Sequence, residues 1–353
     1  MRYNRLGNTG LAVSELCLGA MTFGTNPGRF GAIAGLDQAA STALVKQAFD
    51  AGINFIDTAN VYTLGQSEEF VGGAIRDLGI ARDKVVIASK AMGPMGEGPN
   101  DAGVSRYHLM QQIDASLKRL GTDHVDLYQI HGWDPTTPMD EALRALDDIV
   151  RTGRARYIGV SNWTAWQIVK ALGISERRGL ERFASLQAFY TVANRDLERE
   201  IVPMLLSEGV GLMVWSPLAG GFLSGKYTRG DDDRSQGEGR RAAFDFPPVE
   251  LDRGYNLIDA MKRMAEARGD GTTVARIALA WLLYQPVVTT VIVGAKRADQ
   301  LADNIAACDV ELAAAEMEEL VKLSALPREY PGWMLGFQSG YRGALIAEPR
   351  KPK

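Results

Sequence analysis

The sequence predicts an α/β fold of the closed (β/α)₈ TIM-barrel type, with an N-terminal β-hairpin cap and long loops over the mouth at the C-terminal strand ends. Three observations carry this. Eight short apolar runs recur along the chain, segments of helical period separate them, and polar residues stand just past the ends of successive runs. The 353 residues are 46% hydrophobic and 23% charged, near the globular average, so disordered and coiled-coil readings fall away. Residues 1–353 read as one domain, because α/β barrels run past about 250 residues as single units.

Taken in order, the opening RYNRLGNTGLAVSELCLG gives two strand-like runs around Asn8-Thr9-Gly10, a hairpin ahead of the main fold. The barrel strands then follow in CLGAM, INFIDT, KVVIASK, VDLYQI, ARYIGVS, FASLQA, GLMVWS and TTVIVG. Between them, Ser105 caps a helix with Leu109, Ile113, Leu117 and Leu120 on one face and Gly121 as its stop. Thr137 caps the next, with Pro138 at its first position, Asp140 at its positive end, and Met139, Leu143, Leu146 and Val150 as the buried stripe. A polar stretch from Tyr227 to Phe246 and an aromatic-rich tail from Leu326 are long enough to fold over the mouth.

A net charge of -4 excludes the broad basic surface of a nucleic-acid binder. No run of about 18 apolar residues suggests a membrane span, and MRYNRLGNTGLAVSELCLGA has no basic region followed by a long apolar stretch, so no signal sequence is expected in it. The two cysteines, Cys17 and Cys308, read as inert thiols of a reducing compartment, so a cytoplasmic location is expected. No His, Cys and carboxylate spacing supports a metal site.

Asp57 and Tyr62 follow INFI, Lys90 ends VVIASK, and His131 follows DLYQI. These four types make sense together, because a phenol gives up its proton poorly (reference pKa about 10) unless a nearby cation stabilises the phenolate. Lys90 supplies a cation and Asp57 an anchor for it. Taken singly, Asp57 and Lys90 also fit a structural ion pair, and Tyr62 a packing residue. His108 and His124 read as helix-surface and pre-strand residues.

The order Asp57-x4-Tyr62, Lys90, His131 resembles the catalytic tetrad of the aldo-keto reductase superfamily. So do GINFIDTANVY, VVIASK, DLYQIHGWDP, RYIGVSNW, VWSPLAGGFLSGKY and VIVGAKRADQLADN, so that the resemblance runs from about Arg2 to Asn304. It implies that Tyr62 is a general acid protonating a carbonyl as hydride arrives from NADPH. Lys90 would lower the Tyr62 pKa, Asp57 would pair with Lys90, and His131 would orient the carbonyl or help relay the proton.

By the same resemblance, Ser161, Asn162 and Gln187 would bind the nicotinamide carboxamide and Trp215 would stack on its ring. Ser216, Pro217, Leu218, Ala219 and Gly220 would wrap the pyrophosphate, with Lys226 behind it; apart from the resemblance, Arg240 in the 227–246 loop is a further candidate for the pyrophosphate, and whether that loop closes over it stays open. Gly294, Lys296, Arg297, Gln300, Asp303 and Asn304 would form the adenosine site, the basic pair favouring NADPH over NADH. Gly220 to Lys226 mimics the start of a P-loop, but Tyr227 stands where a hydroxyl for Mg²⁺ is needed. No GxGxxG opens a helix.

The expected partner is thus a small carbonyl or alcohol, lined by Phe23, Trp133, Trp163 and Tyr190, with no nucleic-acid or membrane partner. Two rivals remain at this point: a nucleotide-binding regulatory subunit, as the potassium-channel β-subunits of the family are, and a Schiff-base aldolase using Lys90.

Overall fold

The computed structural model describes residues 1–26, 33–227, 229 and 246–343. Eight parallel strands close into a barrel in the order β10-β3-β4-β5-β6-β7-β8-β9. They are β3 (Leu16–Gly19), β4 (Phe55–Asp57), β5 (Val86–Ala91), β6 (Val125–Ile130), β7 (Ala155–Ser161), β8 (Phe183–Phe189), β9 (Gly211–Trp215) and β10 (Val288–Val293). Each coincides with one apolar run of the sequence. Such runs leave both faces of a strand apolar, as a sheet lined by helices outside and side chains inside demands.

The hairpin pairs β1 (Tyr3–Arg5) with β2 (Ala12–Ser14), antiparallel. Leu6 and Val13 are fully buried and join Cys17, Phe55, Leu127 and Met213 in a cluster inside the barrel. Gly7 meets the starts of β8 and β9 so closely that a Cβ would lie 2.3 Å from the Ala184 carbonyl. The hairpin therefore closes the end of the barrel opposite the polar strand ends.

Helices α1 (Gln38–Asp50), α2 (Gln66–Asp77), α3 (Arg106–Leu120), α4 (Met139–Arg151), α5 (Ala165–Arg178) and α6 (Leu197–Glu208) follow their strands. After β9 come α7 (Leu251–Arg268) and α8 (Val274–Leu283), and after β10 come α9 (Ala298–Ile305), α10 (Ala314–Leu323) and α11 (Gly332–Gly343). Ser105 accepts from the His108 N–H at the start of α3, and Gly121 ends that helix at φ 66°, as the sequence implies. At α4 the cap differs. Pro138 is the N-cap residue, and the Thr137 hydroxyl donates instead to Asp134 over 2.7 Å. Burial pushes the Asp134 carboxyl up, but hydrogen bonds from Thr136, Thr137 and Val104 outweigh it and hold the group near 2.

His108 is not on the surface; it is fully buried, its Nδ1 3.0 Å from the Asn100 carbonyl, because the chain before α3 folds back over the helix. Burial pushes the Cys17 thiol far up and Cys308 to about 12, so both are neutral free thiols. The tail after Leu326 is tied to α6, where Arg199 pairs with Glu329 at 2.7 Å and donates to the Pro327 carbonyl. Trp333, Phe337 and Tyr341 of α11 are exposed. No described helix is long and apolar enough to cross a membrane.

Candidate active site

Strand pleating decides what points inward. Asp57 ends β4, Lys90 lies near the end of β5, and in the register of β5 with β6 Lys90 stands opposite Gln129. The Lys90 Nζ donates to Asp57 Oδ2 at 2.6 Å, to the Thr58 carbonyl at 2.8 Å and to the Tyr62 hydroxyl at 3.4 Å. Lys90 is wholly sealed from solvent and Asp57 nearly so. Burial by itself pulls the Lys90 ammonium down, but the Asp57 carboxylate and the Tyr62 hydroxyl outweigh it and hold the group above the ordinary lysine value. The pairing thus favours the ammonium form of Lys90 beside Tyr62.

The other Asp57 oxygen accepts from Gln187 at 2.9 Å and Gln129 at 3.3 Å, so three strands fix the carboxylate. His131 meets the Tyr62 ring edge-on with centroids 5.6 Å apart. Burial, then the charge of Lys90, pushes its imidazole down to about 3, so His131 is neutral. Tyr62 and His131 open onto a cavity of about 1300 Å³, while Lys90 lies behind its wall. All four residues of the tetrad come together.

Along the cavity, Asn162 takes a left-handed backbone (φ 58°) just past β7, which aims its side chain at the indole of Trp215. Ser161 donates to the Gln187 carbonyl at 3.0 Å, and Trp215 stacks with Phe246, centroids 5.8 Å apart. Ser216, Pro217, Leu218 and Gly220 line the next stretch in a tight turn, where the Gly220 N–H donates to the Ser216 hydroxyl. Ala219 does not line it. Its side chain is turned into the core with no exposed surface, because the turn places it at φ 50° behind the loop. Lys226 lines the cavity with its Nζ 5.1 Å from the Tyr227 ring centre. Arg240 lies outside the described residues.

At the far end, Gly294, Lys296, Arg297, Gln300, Asp303 and Asn304 all border the cavity. Gln300 accepts from the Lys296 N–H at 3.0 Å, and Asn304 reaches the Gly294 carbonyl at 3.5 Å. The Asp303 oxygens are taken by Arg276 and Thr273, so this carboxylate braces α9 against α8. Arg297 pairs with Asp299 in the open. Among the described residues no side chain caps α9, and its first N–H groups, with the helix dipole, suit an anion.

The sequence reading misplaced four aromatics. Phe23, Trp163 and Tyr190 are buried in the core and Trp133 packs edge-on against Trp163; none of the four lines the cavity. The Trp163 indole is held away by donating to the Gly132 carbonyl, and Tyr190 by donating to Glu198. Met21, Thr22, Ile33 and Phe246 line the mouth instead. Gln129 was also missed, although a polar residue inside the apolar run DLYQI, one strand over from Lys90, signalled it.

Residues 15–325 match the model of the aldo/keto reductase family. The uncharacterized oxidoreductase YrpG of Bacillus subtilis is 37% identical over 322 residues, covering 88% of this chain and 92% of its own. A probable voltage-gated potassium channel subunit beta of Oryza sativa is 38% identical, with the same shares of 88% and 92%. Versiconal hemiacetal acetate reductase of Aspergillus parasiticus is 35% identical, covering 94% of this chain and 99% of its own.

Proposed function

The chain belongs to the aldo/keto reductase family and is an oxidoreductase, and from that premise we propose that it reduces aldehydes or ketones to alcohols, reversibly, with NADPH as hydride donor. The observation that carries this is the sealed Lys90 ammonium 3.4 Å from the Tyr62 hydroxyl at the wall of the cavity.

The residues fit a dinucleotide. The cavity exceeds the roughly 300–1,000 Å³ of ordinary small-molecule sites. It runs from the indole of Trp215, a flat stacking surface, to the uncapped start of α9 beside Lys296 and Arg297. Bound there, a reduced nicotinamide supplies hydride. Asn162, Ser161 and Gln187 would hold its carboxamide, Ser216 to Gly220 and Lys226 its pyrophosphate, and Lys296 and Arg297 its 2'-phosphate.

Hydride arrival at a carbonyl carbon leaves negative charge on oxygen. Tyr62 donates its proton to that oxygen, and the Lys90 cation stabilises the charge then left on the phenolic oxygen. Asp57 holds Lys90 in place and is itself held by Gln129 and Gln187. His131, neutral, orients the carbonyl by a hydrogen bond rather than by charge.

The aldolase alternative fits less well, because Lys90 does not border the cavity and is held protonated, whereas a Schiff base needs a free amine in reach of substrate. A regulatory role, suggested by the name of the rice relative, is compatible with a working tetrad and adds a partner rather than replacing the chemistry.

The test is a fluorescence titration with NADPH followed by its oxidation with a panel of carbonyl compounds. Binding and turnover are expected, with Tyr62→Phe slowing turnover by roughly 10²–10⁴-fold while leaving binding intact. No binding, or full activity in Tyr62→Phe, overturns the reading.

A further inference from the structure

The turn that leads from Tyr62 into α2 has a left-handed backbone. Thr63 (φ 47°, ψ 36°) and Leu64 (φ 55°, ψ 44°) are followed by Gly65 at φ 94°. Residues other than glycine keep this conformation only where their surroundings over-determine it. Two clamps act from above: the Thr63 hydroxyl donates to the Phe23 carbonyl at 2.9 Å, and Gln66 Oε1 accepts from the N–H groups of Thr25 and Asn26.

A third clamp lies beneath. Arg119, from the last turn of α3, packs against Gly65 so closely that a Cβ there would come 2.5 Å from its Cδ. Its Nε donates to Glu68 Oε2 at 2.6 Å. Glu68 is fully buried, and its other oxygen accepts from the Ser89 hydroxyl at 2.5 Å.

Ser89 immediately precedes Lys90 on β5. Pleating sends consecutive side chains to opposite faces, so Lys90 points into the barrel and Ser89 out into the helix layer. One dipeptide therefore holds the Tyr62 segment twice. Lys90 reaches the phenol from inside, and Ser89, through Glu68 and Arg119, grips the turn that carries it from outside. Stability alone does not account for an ion pair whose carboxylate is fully buried and whose guanidinium is partly so, since apolar side chains of similar volume often serve as well or better.

We infer that Glu68 and Arg119 are positioning residues that set the spacing between the Tyr62 hydroxyl and the Lys90 ammonium. The inference rests on the reading of Tyr62 as general acid. Neither residue borders the cavity.

A double-mutant cycle tests it. Arg119→Met and Glu68→Gln are made alone and together with Tyr62→Phe, and single-turnover oxidation of bound NADPH by nitrobenzaldehyde is followed. Each single variant should turn over about 10-fold or more slowly, as displaced reacting groups do. Its affinity for NADPH should stay within roughly two-fold. In the Tyr62→Phe background the same substitutions should change the rate by no more than about two-fold, because the group they misplace is gone.

Equal fractional losses in both backgrounds, or no loss with Tyr62 present, overturns the inference. Glu68→Gln keeps the side-chain shape but loses the charge and one of the two acceptor oxygens that meet Arg119 and Ser89, and decides the matter if Arg119→Met does not fold. Should Tyr62→Phe itself keep the full rate, the acid assignment fails; additive losses beside an impaired Tyr62→Phe sink the positioning role alone.

Discussion

The indole N–H of Trp215 donates to Asn162 Oδ1 over 2.9 Å, joining the end of β9 to the residue just past β7. The side chain assigned to the nicotinamide ring is thereby locked to the one assigned to its carboxamide. Trp215→Phe keeps an aromatic face and removes the donor. A hydrogen bond of this kind nets about 0.5–1.5 kcal/mol, so NADPH should bind roughly 2–10-fold more weakly in a fluorescence titration. An unchanged affinity would show that the bond does not help to shape the site.

Removing one member of the Asp57–Lys90 pair leaves the other charged and buried. Lys90→Met should lower the unfolding free energy by about 3–5 kcal/mol, read by urea denaturation, and abolish turnover. The double variant Asp57→Leu with Lys90→Met should recover part of that stability without any activity. Equal stability of Lys90→Met and the parent protein would mean that water reaches the pair.

His131 titrates near 3 in the folded protein against 6.5 in the unfolded chain. Between those values the unfolded chain binds a proton that the folded protein refuses. The corresponding stability is whole above pH 6.5 and is lost as pH falls from there toward 3. Going from about pH 7.5 to about pH 5, the parent should lose about 1–2 kcal/mol more stability than His131→Gln, with some of the effect screened on the cavity side. Turnover should show no inflection near pH 6.5 that His131→Gln removes; such an inflection would make the histidine a charged participant.

Neutralising both Lys296 and Arg297 with alanine should raise the KM for NADPH by about 10-fold or more and that for NADH by less than about two-fold, since each lost charge-assisted bond to a phosphate is worth about 1.5–3 kcal/mol. Steady-state kinetics with both cofactors separates the outcomes. An equal effect on the two would remove the phosphate assignment.

The strands and the tetrad were legible because their signals are local. An apolar run of four to seven residues specifies a buried strand, and charged and phenolic residues recurring just past the ends of successive runs point to the mouth of a barrel. The cap of α3 could be read for the same reason, since Ser105 and Gly121 act within one turn.

The path of a loop is another matter. Whether Trp163 or Phe246 faces the cavity depends on a hydrogen bond to Gly132 in one case and on a stack with Trp215 in the other, partners 31 residues apart or on another strand. Thr137 looked like a cap until Asp134, buried beside it, took its hydroxyl. The Glu68–Arg119 pair carried no signal at all, because a glutamate three residues after Gly65 and an arginine ending an amphipathic helix both read as solvated charges.

The hairpin below the barrel sets Leu6 and Val13, both fully buried, beside Cys17, Phe55, Leu127 and Met213, an apolar floor, while the Lys90 ammonium is hydrogen-bonded to Asp57, Thr58 and Tyr62. On the proposed reading of Tyr62 as general acid, the proton that recharges it would enter by the cavity that Tyr62 borders, so that recharging the acid and occupying the site would compete for one passage.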